Sequence, residues 1–139
     1  KAKAIKSVSN KKQLQLAWQL ATDNNDQDMP LNTPKGKEPW CKHDFPKVDS
    51  RVDPDTFMKG SLASYVSEQQ AVFKNPGDYH LFKDATGAET AAARSVALNY
   101  NLNGIGPKSI VKLAKIRWPS ETFVFIDVDT LESDNPAFS

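Results

Sequence analysis

The chain has 139 residues, a normal share of charged side chains and a formal net charge of +1. A chain of this length forms one ordinary domain, and its balanced charge provides no overall field that would attract nucleic acid or a membrane. The single cysteine, Cys41, excludes an internal disulfide, and no apolar run is long enough to span a bilayer.

The first 24 residues predict a helix whose two halves differ. In the second half, apolar residues recur every three or four positions and form one face: Leu14, Ala17, Trp18 and Ala21. The first half is basic, and its only large apolar side chains are Ile5 and Val8. No Ser, Thr or Asp caps its first turn, so we expect this segment to continue a longer helix.

The remainder divides into a loop and a second structured region. Residues 25–53 contain four prolines that break regular elements, and we expect Trp40 and Phe45 to hold this loop on the core. Residues 54–139 predict a helix plus a sheet. The helix begins after a capping Asp53 and runs to Val66. A short strand at 71–74 then precedes a turn at 75–78.

Two further segments predict strands. Residues 94–101 alternate between apolar and polar positions, which indicates a half-buried strand. Residues 121–128 are apolar on both faces, which indicates a central strand. We therefore expect a single α+β domain spanning 1–139, with a long N-terminal helix packed on a small antiparallel sheet and with long irregular loops. Its helix–sheet core would contain Leu14, Ala17, Trp18, Ala21, Val124 and Ile126.

Two clusters carry side chains with reactive or ligating chemistry. Cys41 and His43 lie two residues apart, but no oxyanion donor or second ligand pair accompanies them, so we favour a loop without catalytic or metal chemistry. The acidic tail offers Asp127, Asp129 and Asp134 as oxygen ligands for calcium. The alternative is a solvated acidic end that forms salt bridges with the basic helix.

Several segments together resemble a known family. The chain is similar to type IV pilin-like pseudopilins, in particular the proteins with a prepilin-type cleavage/methylation signal found in Verrucomicrobia, Lentisphaerae and Planctomycetes. The specific matches are KAIKSVSN at 3–10 and LAWQL at 16–20, with PSETFVFID at 119–127 close to the family's Pro-Ser-Glu-Thr-Phe-Val-Phe-Leu-Asp strand. Weaker matches are VFKNPGD at 72–78 and RSVALNY at 94–100.

The resemblance implies a non-enzymatic structural subunit of a type II secretion or type IV pilus-like filament. In that family an apolar helix upstream of the soluble domain anchors the subunit in the inner membrane, with the domain in the periplasm or in an extracellular filament. The implied partners are other pilin or pseudopilin subunits, without nucleic acid or a small-molecule substrate. The residues then expected at the interface are Lys3, Ile5, Lys6, Val8 and Lys12.

The chain departs from the family at several positions. The family often has cysteines at the positions of Ser7 and Asn75, and both are absent here. Their joint absence would make sense if the family pairs them in a disulfide, and Ser7 and Asn75 should then lie within disulfide reach of each other. Lys11 stands where the family usually has Leu, so we expect the first half of the helix not to face the core. Asn135 and Pro136 replace the family's Asp-Gly, which argues against a shared function of that loop. Some secretion pseudopilins hold calcium in a C-terminal loop, so the resemblance adds a little to the calcium alternative.

A second hypothesis is an exported ligand- or carbohydrate-binding domain. Its site would be a concave surface lined by aromatic side chains, with Trp40, Phe45, Tyr79 and Trp118 as the candidates. Aromatics directed into the core would count against it. An enzyme would need a pocket with a perturbed acid or base pair, and the sequence indicates none.

Overall fold

The computed structural model describes residues 1–33, 38–44, 47–104 and 108–138. The chain forms an α+β arrangement in which one long helix packs against small sheets. The helices are α1 (Ala2–Asp23) and the single turn α2 (Asp55–Met58), with 3₁₀ turns at Ala63–Val66, Gln70–Phe73, Leu113–Lys115 and Pro119–Glu121. The strands are β1 (Leu81–Lys83), β2 (Glu89–Ala91), β3 (Val96–Asn99), β4 (Phe125–Asp127) and β5 (Ala137–Phe138).

Helix α1 is confirmed almost to the residue, and its apolar face lies in the core. Leu14, Ala17, Trp18 and Ala21 are buried, as is Val124 just before β4. Ile126 is only partly buried and does not belong to the core cluster, which differs from the expected helix–sheet core. The helix packs on the 3₁₀ turns Ala63–Val66 and Gln70–Phe73 and touches the sheet through β4.

The strands form a hairpin and a mixed three-stranded sheet rather than one antiparallel sheet. β1 pairs antiparallel with β2. In the second sheet β3 lies in the middle, antiparallel to β4 and parallel to β5. The expectation that 121–128 forms the central strand is therefore wrong, because β4 is an edge. The central strand is β3, which is also more buried than expected: Val96, Ala97 and Leu98 are all inaccessible.

The turn at Asn75 lies next to the start of β3. The Asn75 N–H donates a hydrogen bond to Ser95 Oγ.

The segment before that turn is a 3₁₀ turn, where a strand was expected. Val72 and Phe73 are adjacent and both buried. Both side chains belong to the core cluster of buried residues. The helix expected to run to Val66 is also interrupted. Gly60 lies so close to the Trp40 carbonyl that a Cβ would stand 2.0 Å from its oxygen, and α2 accordingly ends at Met58.

Trp40 anchors the long loop, as expected. It is fully buried, with its ring 6.5 Å from that of Phe73 and 5.7 Å from that of Phe125. Its Nε1 donates to Asn32 Oδ1 at 2.8 Å, and Asn32 Nδ2 donates in turn to the Asn99 carbonyl at 2.8 Å. The loop is thus tied to the end of β3. Phe45, the second expected anchor, lies outside the described residues.

A pair of substitutions on α1 tests this packing. Leu14 is 0% exposed and Leu16 is 63% exposed, although both are leucines on the same helix. Leu14→Ala should lower the free energy of unfolding by about 2–5 kcal/mol, because it leaves a cavity. Leu16→Ala should change it by less than about 0.5 kcal/mol. Urea denaturation of the dilute domain measures both, and equal losses would contradict the orientation of α1.

Candidate functional site

Helix α1 carries a second apolar face on the side away from the core. Ile5, Val8, Leu16 and Leu20 follow one another along this side and are 66%, 51%, 63% and 51% exposed. We call these four residues the outer stripe. Spacings of three, four and eight residues place them on one side of the helix, opposite Leu14 and Ala21. The helix therefore exposes large apolar side chains on the side opposite its buried face, with Lys12 between Val8 and Leu16.

The outer stripe continues onto neighbouring residues. Ala4, Ser9 and Lys12 join Ile5 and Val8 around a shallow groove of about 410 Å³. A second groove, of about 290 Å³, runs from Val8 and Lys12 to Thr122 and Phe123. Phe123 precedes β4 and is 74% exposed, the highest value among the large apolar side chains described. The first half of α1 and the start of β4 thus share one exposed apolar surface.

The expected interface residues divide between the two sides of α1. Ile5, Lys6, Val8 and Lys12 are exposed, and Ile5, Val8 and Lys12 lie together at the first groove. Lys3 is exposed too, but its ammonium lies 4.0 Å from the centre of the Tyr79 ring, on the domain side. The structure therefore does not place Lys3 with Ile5, Val8 and Lys12.

The domain side of the first half of α1 is polar but buried, contrary to the expectation that this half would not face the core. Ser7 and Asn10 are both almost inaccessible. Ser7 Oγ donates to Asp127 Oδ2 at 2.9 Å, and Lys11 donates to both groups. Asn10 Nδ2 donates to the Ala71 and Lys74 carbonyls at 3.2 and 3.1 Å. In the sequence, Ser7 and Asn10 continue the spacing of the buried residues 14 and 17. This spacing was the available signal that they lie on the same side of the helix.

The three candidate calcium ligands do not come together. Asp127 pairs with Lys11, whereas Asp129 accepts the Leu131 N–H at 3.0 Å and lies 3.8 Å from His80. Asp134 lies 3.7 Å from the His43 ring. Among the residues that the structure describes, no group of three acidic, histidine or cysteine side chains is arranged to hold a metal ion. Asp127 instead accepts the predicted salt bridge from the basic helix.

Cys41 and His43 do not form an activated pair. Cys41 is almost completely buried, and burial raises the pKa of its thiol above the ordinary value although the nearby Arg94 opposes the shift. A buried thiol that stays protonated is a poor nucleophile. Burial also lowers the pKa of His43, against the opposing effect of Asp134.

The aromatic residues of the alternative hypothesis do not build one surface. Trp40 is in the core, as described above, and is closed to a ligand. Tyr79 and Trp118 are exposed and lie beside Lys3 and Arg117 respectively. Phe45 is outside the described residues. A core-facing Trp40 counts against the expected aromatic binding site.

The shifted pKa of His43 generates a prediction about stability. The folded protein favours the neutral imidazole, because burial lowers the pKa of His43 below its ordinary value near 6.5. As the pH falls below about 6.5, the unfolded chain therefore binds more protons than the folded protein does. The free energy of unfolding is consequently lower below this pH than above it. Asp49 does not titrate in this range, because its hydrogen bonds from Arg51 outweigh burial and lower its pKa.

Between about pH 7 and pH 5 the wild-type protein should therefore lose stability more steeply than His43→Gln. Urea denaturation at each pH gives the two slopes. Parallel slopes, or a steeper slope for His43→Gln, would mean that protonation of His43 does not oppose folding.

The expected proximity of Ser7 and Asn75 also stays a prediction, for which the contacts suggest a test. Asn10, one turn after Ser7, donates to the carbonyl of Lys74, the residue before Asn75. The double variant Ser7→Cys/Asn75→Cys should lose two free thiols under mild oxidation, leaving only the buried Cys41. Counting thiols in the denatured protein measures this loss. Three remaining thiols would show that the two positions cannot be bridged.

The described part of the chain contains no helix with the length and apolar character needed to cross a membrane. Comparison with protein-family models, curated protein sequences and solved structures found no match to any of them. A functional assignment therefore depends on the residues of this chain, and its strongest structural feature is the outer stripe of α1.

Proposed function

We propose that the chain is a structural subunit, a pseudopilin or minor pilin, of a type II secretion or type IV pilus-like filament that assembles through its first helix. The observation that carries the proposal is the outer stripe: four large apolar side chains exposed in line on a helix whose opposite face is buried. The sequence resemblance at 3–10, 16–20 and 119–127 supports the same assignment.

Single exposed apolar residues are common and need no explanation. The outer stripe differs because its members share one helix side over the length of α1, and because Phe123 extends it. Complete burial of one such side chain contributes about 1.5–3 kcal/mol. A neighbouring subunit covering this side would thus gain several kcal/mol toward the cost of association.

The basic character of α1 is consistent with the same role. Residues 1–22 contain five lysines and no acidic residue. In the described part of the chain, only Lys11 of these five is paired with a carboxylate. Lys1, Lys6 and Lys12 would meet lipid headgroups or an acidic surface of another subunit in an assembly that leaves the inner membrane. The proposed partners are accordingly other subunits and, through an upstream apolar helix, the inner membrane.

The natural precursor provides the first test of this assignment. The proposal expects a leader and an apolar segment of about 20 residues upstream of Lys1 in the gene product. Sequencing the complete reading frame measures this directly. A precursor without such a segment would contradict the proposal.

Charge substitutions on the outer stripe provide the second test. Ile5→Glu and Val8→Glu in the full-length precursor should reduce filament assembly at least about tenfold, because each places a charge in the apolar contact between subunits. The matched control is Leu81→Glu, at a similarly exposed leucine on β1 that does not belong to the outer stripe. Electron microscopy and sedimentation of material sheared from cells measure assembly, and thermal unfolding of the domains checks folding. Normal filaments from folded Ile5→Glu and Val8→Glu proteins would contradict the role of the stripe.

A further inference from the structure

The two ends of the chain have opposite charge. Residues 1–22 carry five lysines without an acidic residue, and residues 118–139 carry five acidic residues without a lysine or arginine. Within one copy the ends meet only at Lys11 and Asp127 among the described ion pairs. Within the described part of the chain no ion pair involves Lys1, Lys6 and Lys12 at one end or Glu121 and Glu132 at the other, so these charges are available for contact with another molecule.

The acidic end presents an apolar residue on a well-held turn. Leu131 is 61% exposed and stands between Asp129 and Glu132. The Leu131 N–H donates to Asp129 Oδ1 at 3.0 Å, and the Glu132 and Ser133 N–H groups donate to the Asp129 carbonyl at 3.2 and 2.9 Å. We call residues 129–132 the acidic knob.

Thr130 fixes this knob to the domain. It is completely buried, and its Oγ1 donates to Asp78 Oδ2 at 3.0 Å. Its carbonyl accepts a hydrogen bond from Arg51 Nη1 at 3.0 Å. Because the residue beside Leu131 is held by a side-chain and a backbone contact, Leu131 is presented in one position. A preorganised contact of this kind loses little conformational entropy on binding.

The groove on α1 has the complementary character. It is lined by Ala4, Ile5, Val8, Ser9 and Lys12, and its surface is mostly apolar. Lys12 stands at one end of the groove, and Lys1, one helical turn before Ile5, stands near the other. An apolar centre between two ammonium groups thus matches an apolar residue between two carboxylates.

The knob of one copy cannot fill its own groove. Asp127 and Asp78, which lie at the base of the knob, are bonded to the domain side of α1 and to the domain itself. The groove is on the opposite side of α1, with Ile5 and Val8 directed away from Ser7 and Asn10. Contact between two different patches on identical chains is heterologous, so it propagates from copy to copy.

We propose that Leu131 of one subunit enters the Ile5/Val8/Lys12 groove of the next copy of this chain, with Asp129 and Glu132 beside Lys1 and Lys12. The proposal rests on the filament role above and names the two surfaces that meet in it. The contact uses one apolar side chain for affinity and two ion pairs for register. It occupies the first half of the outer stripe and leaves Leu16 and Leu20 to other contacts.

Disulfide trapping in the full-length precursor tests the contact. Val8→Cys and Leu131→Cys, combined in one chain, should give a ladder of covalent oligomers on a non-reducing gel when cells with filaments are oxidised. Each single variant should give no ladder. The matched control pair is Val8→Cys with Leu81→Cys, which places the second thiol on an exposed leucine of β1. Filaments that form without a ladder from the first pair overturn the knob-and-groove contact and leave the filament role standing. Absence of filaments from the wild-type precursor overturns both.

A charge exchange provides a second, independent readout. Lys12→Glu and Glu132→Lys should each lower the amount of sedimented filament at least about fivefold, and the double variant should restore it to within about twofold of wild type. Loss without restoration would assign Lys12 to a different acidic surface, such as anionic lipid, and overturn the proposal. Unchanged assembly in both single variants would overturn it as well.

Discussion

The structure depends on the burial of one side of α1. In the second half of the helix this contact is apolar and belongs to the core around Leu14 and Trp18. In the first half it is made by hydrogen bonds from Ser7 and Asn10 and by the ion pair between Lys11 and Asp127. These groups join the helix to β4 and to the turn before Asn75. A helix held along most of its length keeps its opposite side in a fixed orientation, and the proposed function depends on that orientation.

A second buried group organises the acidic end. Arg94 is completely buried and donates to Ser50 Oγ at 3.1 Å, to the Val96 carbonyl and to the Asp134 carbonyl at 2.9 Å. A guanidinium has five donors in a fixed plane, so it can hold three acceptors from separate segments at once. Arg94 thereby ties the tail to β3 directly before the tail pairs as β5. The knob at Leu131 is thus held between Thr130 and the Arg94 contact with Asp134.

The fold class and the inner face of α1 were predictable from the sequence, because both depend on local periodicity. The order of strands was not. β5 is two residues long and gives no periodic signal. Without β5 as a neighbour, the sequence pattern predicts that β3 is only half-buried. The break at Gly60 arises from close approach to Trp40, a contact between distant residues that no local pattern indicates. The expectation drawn from Lys11, that the first half of α1 does not face the core, is wrong because Ser7 and Asn10 bury this side through hydrogen bonds rather than apolar contacts. At the candidate site, Ile5, Val8 and Lys12 were predicted, whereas Leu16, Leu20 and Phe123 were recognised only from their exposure.

The central claim is that α1 has one side for its own domain and another for neighbouring subunits. The most direct test compares how single cysteines along α1 react with a water-soluble maleimide in the free domain and in assembled filaments. The cysteines are introduced one at a time at the exposed positions 5, 8, 16 and 20 and at the buried positions 10 and 14. The account predicts that positions 10 and 14 are protected in both states, whereas 5, 8, 16 and 20 react quickly in the free domain and become protected on assembly. Equal reactivity of the four outer positions in both states would contradict it.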